Sequence, residues 1–138
     1  MKSVIIGQGY VGLTIAVGAA GVGHTVIGFD VNEGLVSQLN TGKSHIEGIS
    51  DSHLKEYISQ GSFAASSDPT VLNASDVIVI AVPTPLDEAR NPDLSYVHAA
   101  AELIQNNVKS PALIVNESTS YPGTLRNEIT ARITRVDH

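Results

Sequence analysis

The stretch from Ser3 to Gly21, SVIIGQGYVGLTIAVGAAG, contains a short apolar run, a turn with three glycines and a helix of small residues. The apolar run is typical of a strand that is buried on both faces, because polar and apolar side chains do not alternate in it. Gly7, Gly9 and Gly12 follow in the spacing G-x-G-x-x-G. Such glycines permit a tight turn, a close approach of phosphate to the backbone and close packing of helix and strand. A purely structural turn is the alternative.

An acidic residue follows at the distance that a dinucleotide site requires. The second apolar run, TVIGFD, ends at Asp30, eighteen positions after Gly12. A carboxylate about 20 residues beyond the glycines binds the adenosine ribose in this kind of site. It would repel a 2′-phosphate, so the sequence favours NAD over NADP. Asp30 is alternatively the N-cap of a helix that begins near Asn32, and one side chain can serve both purposes.

Further apolar runs predict the rest of a sheet. DVIVIAVP at 76–83 and ALIVNE at 112–117 lack alternation, and the weaker GSFAASS at 61–67 is expected to form an edge strand. Strands that alternate with helices indicate a parallel sheet of right-handed βαβ units. The predicted fold class is therefore α/β, a doubly wound parallel sheet of the Rossmann type that is truncated at its C-terminal end.

Three helices are predicted in the second half of the chain. One has Asp93 as its N-cap, and a short one starts at Asp68 with Pro69 in its first turn. The helix that starts near Asp93 has an apolar face formed by Leu94, Val97, Ala101, Ile104 and Val108. The third helix closes the chain, and its apolar face is formed by Leu125, Ile129 and Ile133.

Two predicted strands end in polar segments. Ligands of open α/β sheets bind beyond the carboxyl ends of the strands. Pro83 and Pro85 stiffen the backbone around Thr84, which would hold its hydroxyl against a ligand, although a rigid strand exit is an equally good interpretation. The other segment, Asn116 to Ser120, has the sequence NESTS and would lie beside Thr84 if the two strands are neighbours. Helix capping explains one or two of its hydroxyls but not all.

Composition narrows the possible functions. A chain of 138 residues with 42% apolar side chains can bury one core, so a single domain is expected. The net charge of −6 argues against binding to nucleic acid or anionic membranes. No cysteine is present, and the five histidines lack a ligand-like spacing, so no metal site is expected. No apolar run approaches the length of a membrane span or a signal peptide, which predicts a cytoplasmic protein.

Five motifs in order, GQGYVGL, FDVN, AVPTPLDE, NPDLSYV and NESTSYPGT, cover essentially the whole chain. Together they resemble the amino-terminal coenzyme domain of the UDP-glucose/GDP-mannose dehydrogenase family, and within it the bacterial UDP-N-acetyl-hexosamine 6-dehydrogenases of polysaccharide biosynthesis. The resemblance implies NAD-dependent oxidation of a sugar C6 alcohol, through an aldehyde, to a uronic acid with two hydride transfers.

The resemblance also assigns site residues. It implies that Thr119 lies at the edge of the active site, where its hydroxyl would position water or substrate near the nicotinamide. Those that it places against NAD are Gly7, Gly9, Tyr10, Val11 and Gly12 at the pyrophosphate, Asp30 at the ribose, and Val82, Pro83, Thr84 and Thr119 along the rest of the coenzyme.

The family's remaining catalytic groups have no counterpart here. The resemblance implies a thiol nucleophile, a lysine and a further glutamate from a later domain, and this chain has no cysteine. Residues 1–138 are therefore expected to be one NAD-binding domain, without the central helix and the C-terminal UDP-sugar domain of the family. We expect it to bind NAD without completing the reaction, and the full-length enzyme to be a homodimer. Many relatives have a basic residue after FDVN, where this chain has Glu33 to Leu35.

Two other functions fit part of the sequence. A stand-alone nucleotide-sensing module, such as those attached to potassium transporters, also uses a glycine turn and an acid at this chain length. Another dehydrogenase of the same fold, such as the hydroxyacid type, is the third possibility. Neither explains why polar segments follow both the fourth and the fifth predicted strand.

Overall fold

A computed structural model describes residues 1–133. Its five strands are β1 (Lys2–Ile6), β2 (Thr25–Phe29), β3 (Phe63–Ser66), β4 (Val77–Ile80) and β5 (Leu113–Asn116). Its four α-helices are α1 (Tyr10–Gly21), α2 (Glu33–Asn40), α3 (Asp51–Ser59) and α4 (Ser95–Asn107). A single 3₁₀ turn spans Pro69–Leu72, and a π-helix spans Leu125–Thr130.

All five strands are parallel, in the order β3-β2-β1-β4-β5. The chain moves outward from β1 through β2 to β3, and then returns to the other side of β1 with β4. The order therefore reverses between β1 and β4, and in such sheets this is where a crevice opens at the carboxyl ends. Because β1 is central, Val4, Ile5 and Ile6 are at most 3% exposed.

Helices cover both faces of the sheet. On one face α1, α2 and α3 pack around Leu13, Leu39 and Leu54. On the other face α4 and the π-helix pack around Ile104 and Ile129. This two-sided burial is the reason that the strands are continuously apolar, and it confirms the predicted doubly wound α/β class.

The two edges of the sheet differ. The outer strand β3 is held by the Asn40 side chain, which donates to Ala65 O at 2.9 Å and accepts from Ala65 N at 2.9 Å. On the opposite edge β5 pairs only with β4 among the described residues. A groove of about 620 Å³ runs along this edge between β5, α4 and the π-helix, and Val108, Leu113 and Ile129 are among its lining residues. The prediction of an edge strand at 61–67 is confirmed.

Some predicted details are wrong. The N-cap of α4 is Leu94, whose carbonyl accepts the first helical hydrogen bond from His98 N at 2.9 Å, and Asp93 lies one residue earlier, with its carboxylate accepting from Ser95 N. The structure contains α3, which the sequence interpretation missed. Leu54 is buried in this helix and Tyr57 and Ile58 pack partly buried against the same core, so α3 has an apolar face at helical spacing, and the Ser50 hydroxyl caps it.

The closing helix is present but has π geometry. Ile129 and Ile133 are buried as expected, whereas Leu125 is 51% exposed. Leu125 lies on the same side as Ile129 and Ile133, and it is exposed because all three line the open groove beside β5. Within residues 1–133 no helix is both long enough and apolar enough to cross a bilayer.

Candidate functional site

The glycine turn, residues Gly7 to Gly12, connects β1 to α1 at the switch point. Gly7 has φ +94°, a conformation that favours glycine, and a Cβ there would lie 2.5 Å from Ala81 O at the end of β4. A Cβ on Gly12 would overlap Gly7 O, so α1 can start this close to the turn only because residue 12 has no side chain. The predicted tight turn and close packing therefore both have a steric cause.

Gly9 faces open space. It is exposed, a Cβ on it would have no atom within 4 Å, and it is the N-cap of α1 without any side-chain cap. The first helical hydrogen bond is donated by Leu13 N to Gly9 O at 3.0 Å. The amide groups before Leu13 thus point out of the helix N-terminus, where the helix dipole favours an anion. Tyr10 and Val11, 68% and 48% exposed, flank this opening.

Asp30 lies directly beside the glycine turn. Its Oδ2 accepts from Gln8 N at 2.9 Å, and its Oδ1 accepts from Asn32 N at 2.9 Å. The N-cap of α2 is Asn32, whose side chain accepts from Leu35 N, so the interpretation of Asp30 as the N-cap is wrong. Each carboxylate oxygen can accept more than one hydrogen bond, so Asp30 keeps capacity for ribose hydroxyls.

The two polar strand ends are neighbours. Ile80 of β4 is in register with Asn116 of β5, and Glu117 N donates to Ile80 O at 2.8 Å. Ser118, 9% exposed, accepts from Val82 N at 3.0 Å and donates to Ile80 O at 3.4 Å. The Ser118 side chain thus continues the hydrogen bonding between β4 and β5 beyond their last backbone pair. Sequence analysis missed this role, because a serine in the run NESTS has no feature that separates it from Ser120.

Thr84 and Thr119 lie beyond these strand ends. Thr84 is half-buried and Thr119 is exposed, as is Pro83, while Val82 is half-buried. Neither threonine hydroxyl makes a hydrogen bond within residues 1–133, so both are available to a ligand. The structure places the two segments on adjacent strands of the sheet, on the β4 side of the glycine turn.

The charged loop after Thr84 is solvated. It closes as a short hairpin with a bridge between Leu86 and Pro92, and Asp87 accepts from Asn91 N at 2.8 Å. Arg90 has φ +62° and is exposed.

A polar network holds the segment after β5. Glu128 of the π-helix contacts His98 of α4 at 2.8 Å and Arg132 at 3.1 Å, and it accepts from the Tyr121 hydroxyl at 3.2 Å. The hydrogen bond from His98, supported by those from Tyr121 and Arg132, lowers the pKa of Glu128 below its ordinary value. His98, one of the five histidines without a ligand-like spacing, thus has a carboxylate partner, whereas His138 lies outside the described residues. Residues 1–133 contain no group of three or more side chains that could hold a metal ion.

Residues 1–138 match the model of the UDP-glucose/GDP-mannose dehydrogenase family, NAD binding domain. The chain belongs to this family. Among the relatives of this UDP-glucose/GDP-mannose dehydrogenase domain is the UDP-N-acetyl-D-glucosamine 6-dehydrogenase of Pseudomonas aeruginosa, 36% identical over 128 residues that cover 93% of this chain and 29% of the relative.

Solved structures agree. The UDP-D-ManNAc dehydrogenase of Pyrococcus horikoshii superimposes with a TM-score of 0.90 at 32% identity, over 99% of this chain and 34% of that one. GDP-mannose dehydrogenase of Pseudomonas aeruginosa gives a TM-score of 0.89 at 31% identity, over 96% and 32%. This chain thus spans about a third of the length of these family members.

The family's NAD fits the geometry of this dehydrogenase domain. The open space at Gly9 is the cradle that a Cβ would fill, and the uncapped N-terminus of α1 borders it. Asp30 lies at the adjoining end of β2, where its negative charge is compatible with ribose hydroxyls but not with a 2′-phosphate.

Proposed function

We propose that this chain is the coenzyme-binding part of an enzyme that oxidises the C6 alcohol of a UDP-sugar to a uronic acid. Oxidation of a primary alcohol to a carboxylate removes two hydrides and consumes one water, so two NAD are reduced per product. The open cradle at Gly9, at the switch point of a parallel sheet, is the observation that carries the proposal.

Each of the candidate site residues has a definite task in this proposal. The glycine turn, which includes Tyr10 and Val11, receives the pyrophosphate, and Asp30 receives the adenosine ribose. Val82, Pro83 and Thr84 line the path toward the nicotinamide. The Thr119 hydroxyl, exposed and unpartnered among the described residues, positions water or substrate at the far end. Bound NAD supplies the hydride acceptor.

The relatives' names support the choice of substrate class. Those named above are dehydrogenases, and nothing among the comparisons supports a nucleotide-sensing regulatory module. Because relatives are about three times longer, we propose that residues 1–138 act as one domain and that the thiol nucleophile and the sugar site lie in other parts of the enzyme. A homodimeric full-length enzyme in the cytoplasm belongs to the same proposal.

Calorimetric titration tests coenzyme binding. We expect the protein to bind NAD more tightly than NADP, and Asp30→Ala to narrow the difference, because the substitution removes both a ribose ligand and a charge that repels the 2′-phosphate. Equal affinity for both coenzymes in the unchanged protein contradicts the proposal. We also expect no NADH absorbance when residues 1–138 are mixed with NAD and a UDP-sugar, and its appearance would show that the chain is catalytically complete.

A further inference from the structure

Gln8 is the second residue of the glycine turn, yet its side chain is completely buried. Its exposure is 0%, although Gly9 next to it is exposed. The side chain turns back beneath the turn, where Nε2 donates to Ile5 O at 3.0 Å and to Gly7 O at 3.1 Å. These two carbonyl groups fix the orientation of the amide, because the opposite orientation would place Oε1 against both of them.

The space that Gln8 occupies exists because residue 28 is a glycine. A Cβ on Gly28 of β2 would overlap Oε1 of Gln8 and lie 2.5 Å from its Cδ. Oε1 itself has no hydrogen-bond partner, and it is the one buried side-chain nitrogen or oxygen within residues 1–133 of which this is true. An unpartnered buried oxygen costs free energy, so the structure retains this amide in spite of a penalty.

The amide and Asp30 hold the same peptide group. The peptide that joins Gly7 to Gln8 consists of the Gly7 carbonyl and the Gln8 N–H. The Gln8 amide donates to that carbonyl, and Asp30 Oδ2 accepts from that N–H at 2.9 Å. Rotation of this peptide would therefore break both contacts and release one oxygen of the carboxylate.

We propose that Gln8 is a positioning residue for coenzyme selection. Its buried amide holds the Gly7–Gln8 peptide so that the peptide N–H keeps the Asp30 carboxylate in the orientation that accepts ribose hydroxyls and repels a 2′-phosphate. The inference rests on the proposed role of Asp30 as the ribose ligand. It assigns part of the preference for NAD to a side chain that does not contact the coenzyme.

The first test is Gln8→Met, which keeps an unbranched side chain of similar volume but removes the amide. Calorimetric dissociation constants for NAD and NADP are measured in the unchanged protein and in the variant. We expect the preference for NAD to shrink about fivefold, mostly through weaker NAD binding, as the loss of one hydrogen bond to the peptide allows. A purely structural role would weaken binding of both coenzymes in proportion, and that result overturns the proposal.

The second test exploits the contact between Gln8 and Gly28. Gly28→Ala alone should lower the melting temperature and reduce the preference for NAD, because the new methyl group displaces the amide. Gly28→Ala combined with Gln8→Ala should recover the melting temperature, since the methyl group then has space, but not the preference. Recovery of the preference in the double variant would show that the amide is dispensable. The double variant also decides the matter if Gln8→Met fails to fold.

Gly18→Ala is the matched control, because Gly18 is an exposed glycine of α1 whose added Cβ would have no atom within 4 Å. It should raise rather than lower the melting temperature, because alanine is the better helix former, and it should leave the coenzyme preference unchanged. Asp30→Ala distinguishes a failure of the proposed role of Asp30 from a failure of the proposed role of Gln8. If the unchanged protein lacks a preference for NAD, the role of Asp30 fails and that of Gln8 with it. If Asp30→Ala abolishes the preference and Gln8→Met preserves it, only the role of Gln8 is wrong.

Discussion

The two halves of the candidate site, on either side of the switch point, are built in different ways. On the β1–β2 side, the backbone and side chains of the glycine turn and Asp30 are held by hydrogen bonds and close contacts. On the β4–β5 side, the proposed ligand groups of Thr84 and Thr119 have no partner among residues 1–133, and Ser118 behind them makes the structural contacts. The β1–β2 half is therefore pre-organised before a ligand binds. In the β4–β5 half, one residue holds the backbone and different residues are available to the ligand.

Substitutions of two glycines in the turn should have the largest effects on the pre-organised half of the site. Gly12→Ala should lower the free energy of unfolding by about 3 kcal/mol, because the new Cβ overlaps Gly7 O. Gly9→Ala should lower it by less than about 1 kcal/mol, because the Cβ enters open space, and yet weaken NAD binding at least about tenfold by filling the cradle. Urea denaturation and calorimetry measure the two effects. Similar stability losses in both variants would contradict the assignment of separate roles.

On the other side of the site, Ser118→Ala tests the framework. It removes the acceptor of Val82 N and should lower the free energy of unfolding by about 1 to 2 kcal/mol. Ser120→Ala is the control, because Ser120 is exposed and makes no hydrogen bond within residues 1–133. Urea denaturation of both variants should show a loss for Ser118→Ala only. Equal free energies of unfolding for the two variants would contradict the stabilising role of Ser118.

Thr84→Val tests the ligand groups of the same side. It should leave the melting temperature unchanged and raise the dissociation constant for NAD about 2- to 10-fold, since only a hydrogen bond to the ligand is lost. Thr25→Val is a matched control at the amino end of β2, where the side chain is exposed and far along the strand from the site. If isothermal calorimetry gives the same NAD affinity for Thr84→Val as for the unchanged protein, the proposal that Thr84 contacts NAD is wrong.

The smallest effect concerns the network behind β5. The lowered pKa of Glu128 means that its ionised form stabilises the fold, fully at pH values above about 4.5, and that this contribution is lost as the pH falls through the lower folded-state pKa. Glu128→Gln should therefore melt about 2 °C lower at pH 7, and the difference should close at acidic pH.

Thermal melts across the pH range measure this difference, with Glu102→Gln as the control because Glu102 is exposed on α4. A gap that widens toward acidic pH would show that the sign is wrong.

Sequence analysis predicted the first half of the site better than the second. Gly7, Gly9, Gly12 and Asp30 act through local chain geometry, so their spacing already indicates a turn with an acid beside it. Ser118 could not be distinguished in the same way, because its partner Val82 is 36 residues away and depends on the pairing of β4 with β5. The missed helix α3 is a different case, because Leu54, Tyr57 and Ile58 already have helical spacing and Ser50 is its cap, so the signal was present in the sequence.

By itself, the sequence determined the parallel α/β class, the glycine turn and the carboxylate at the end of the second strand. These features follow from side-chain volume and from preferences between residues close along the chain. Only the tertiary structure decided that Asn32 rather than Asp30 caps α2, that Ser118 bridges two strand ends, and that the Gln8 amide fills the space beside Gly28. Such contacts join residues distant in sequence, so they exist only when the register of the strands brings those residues together.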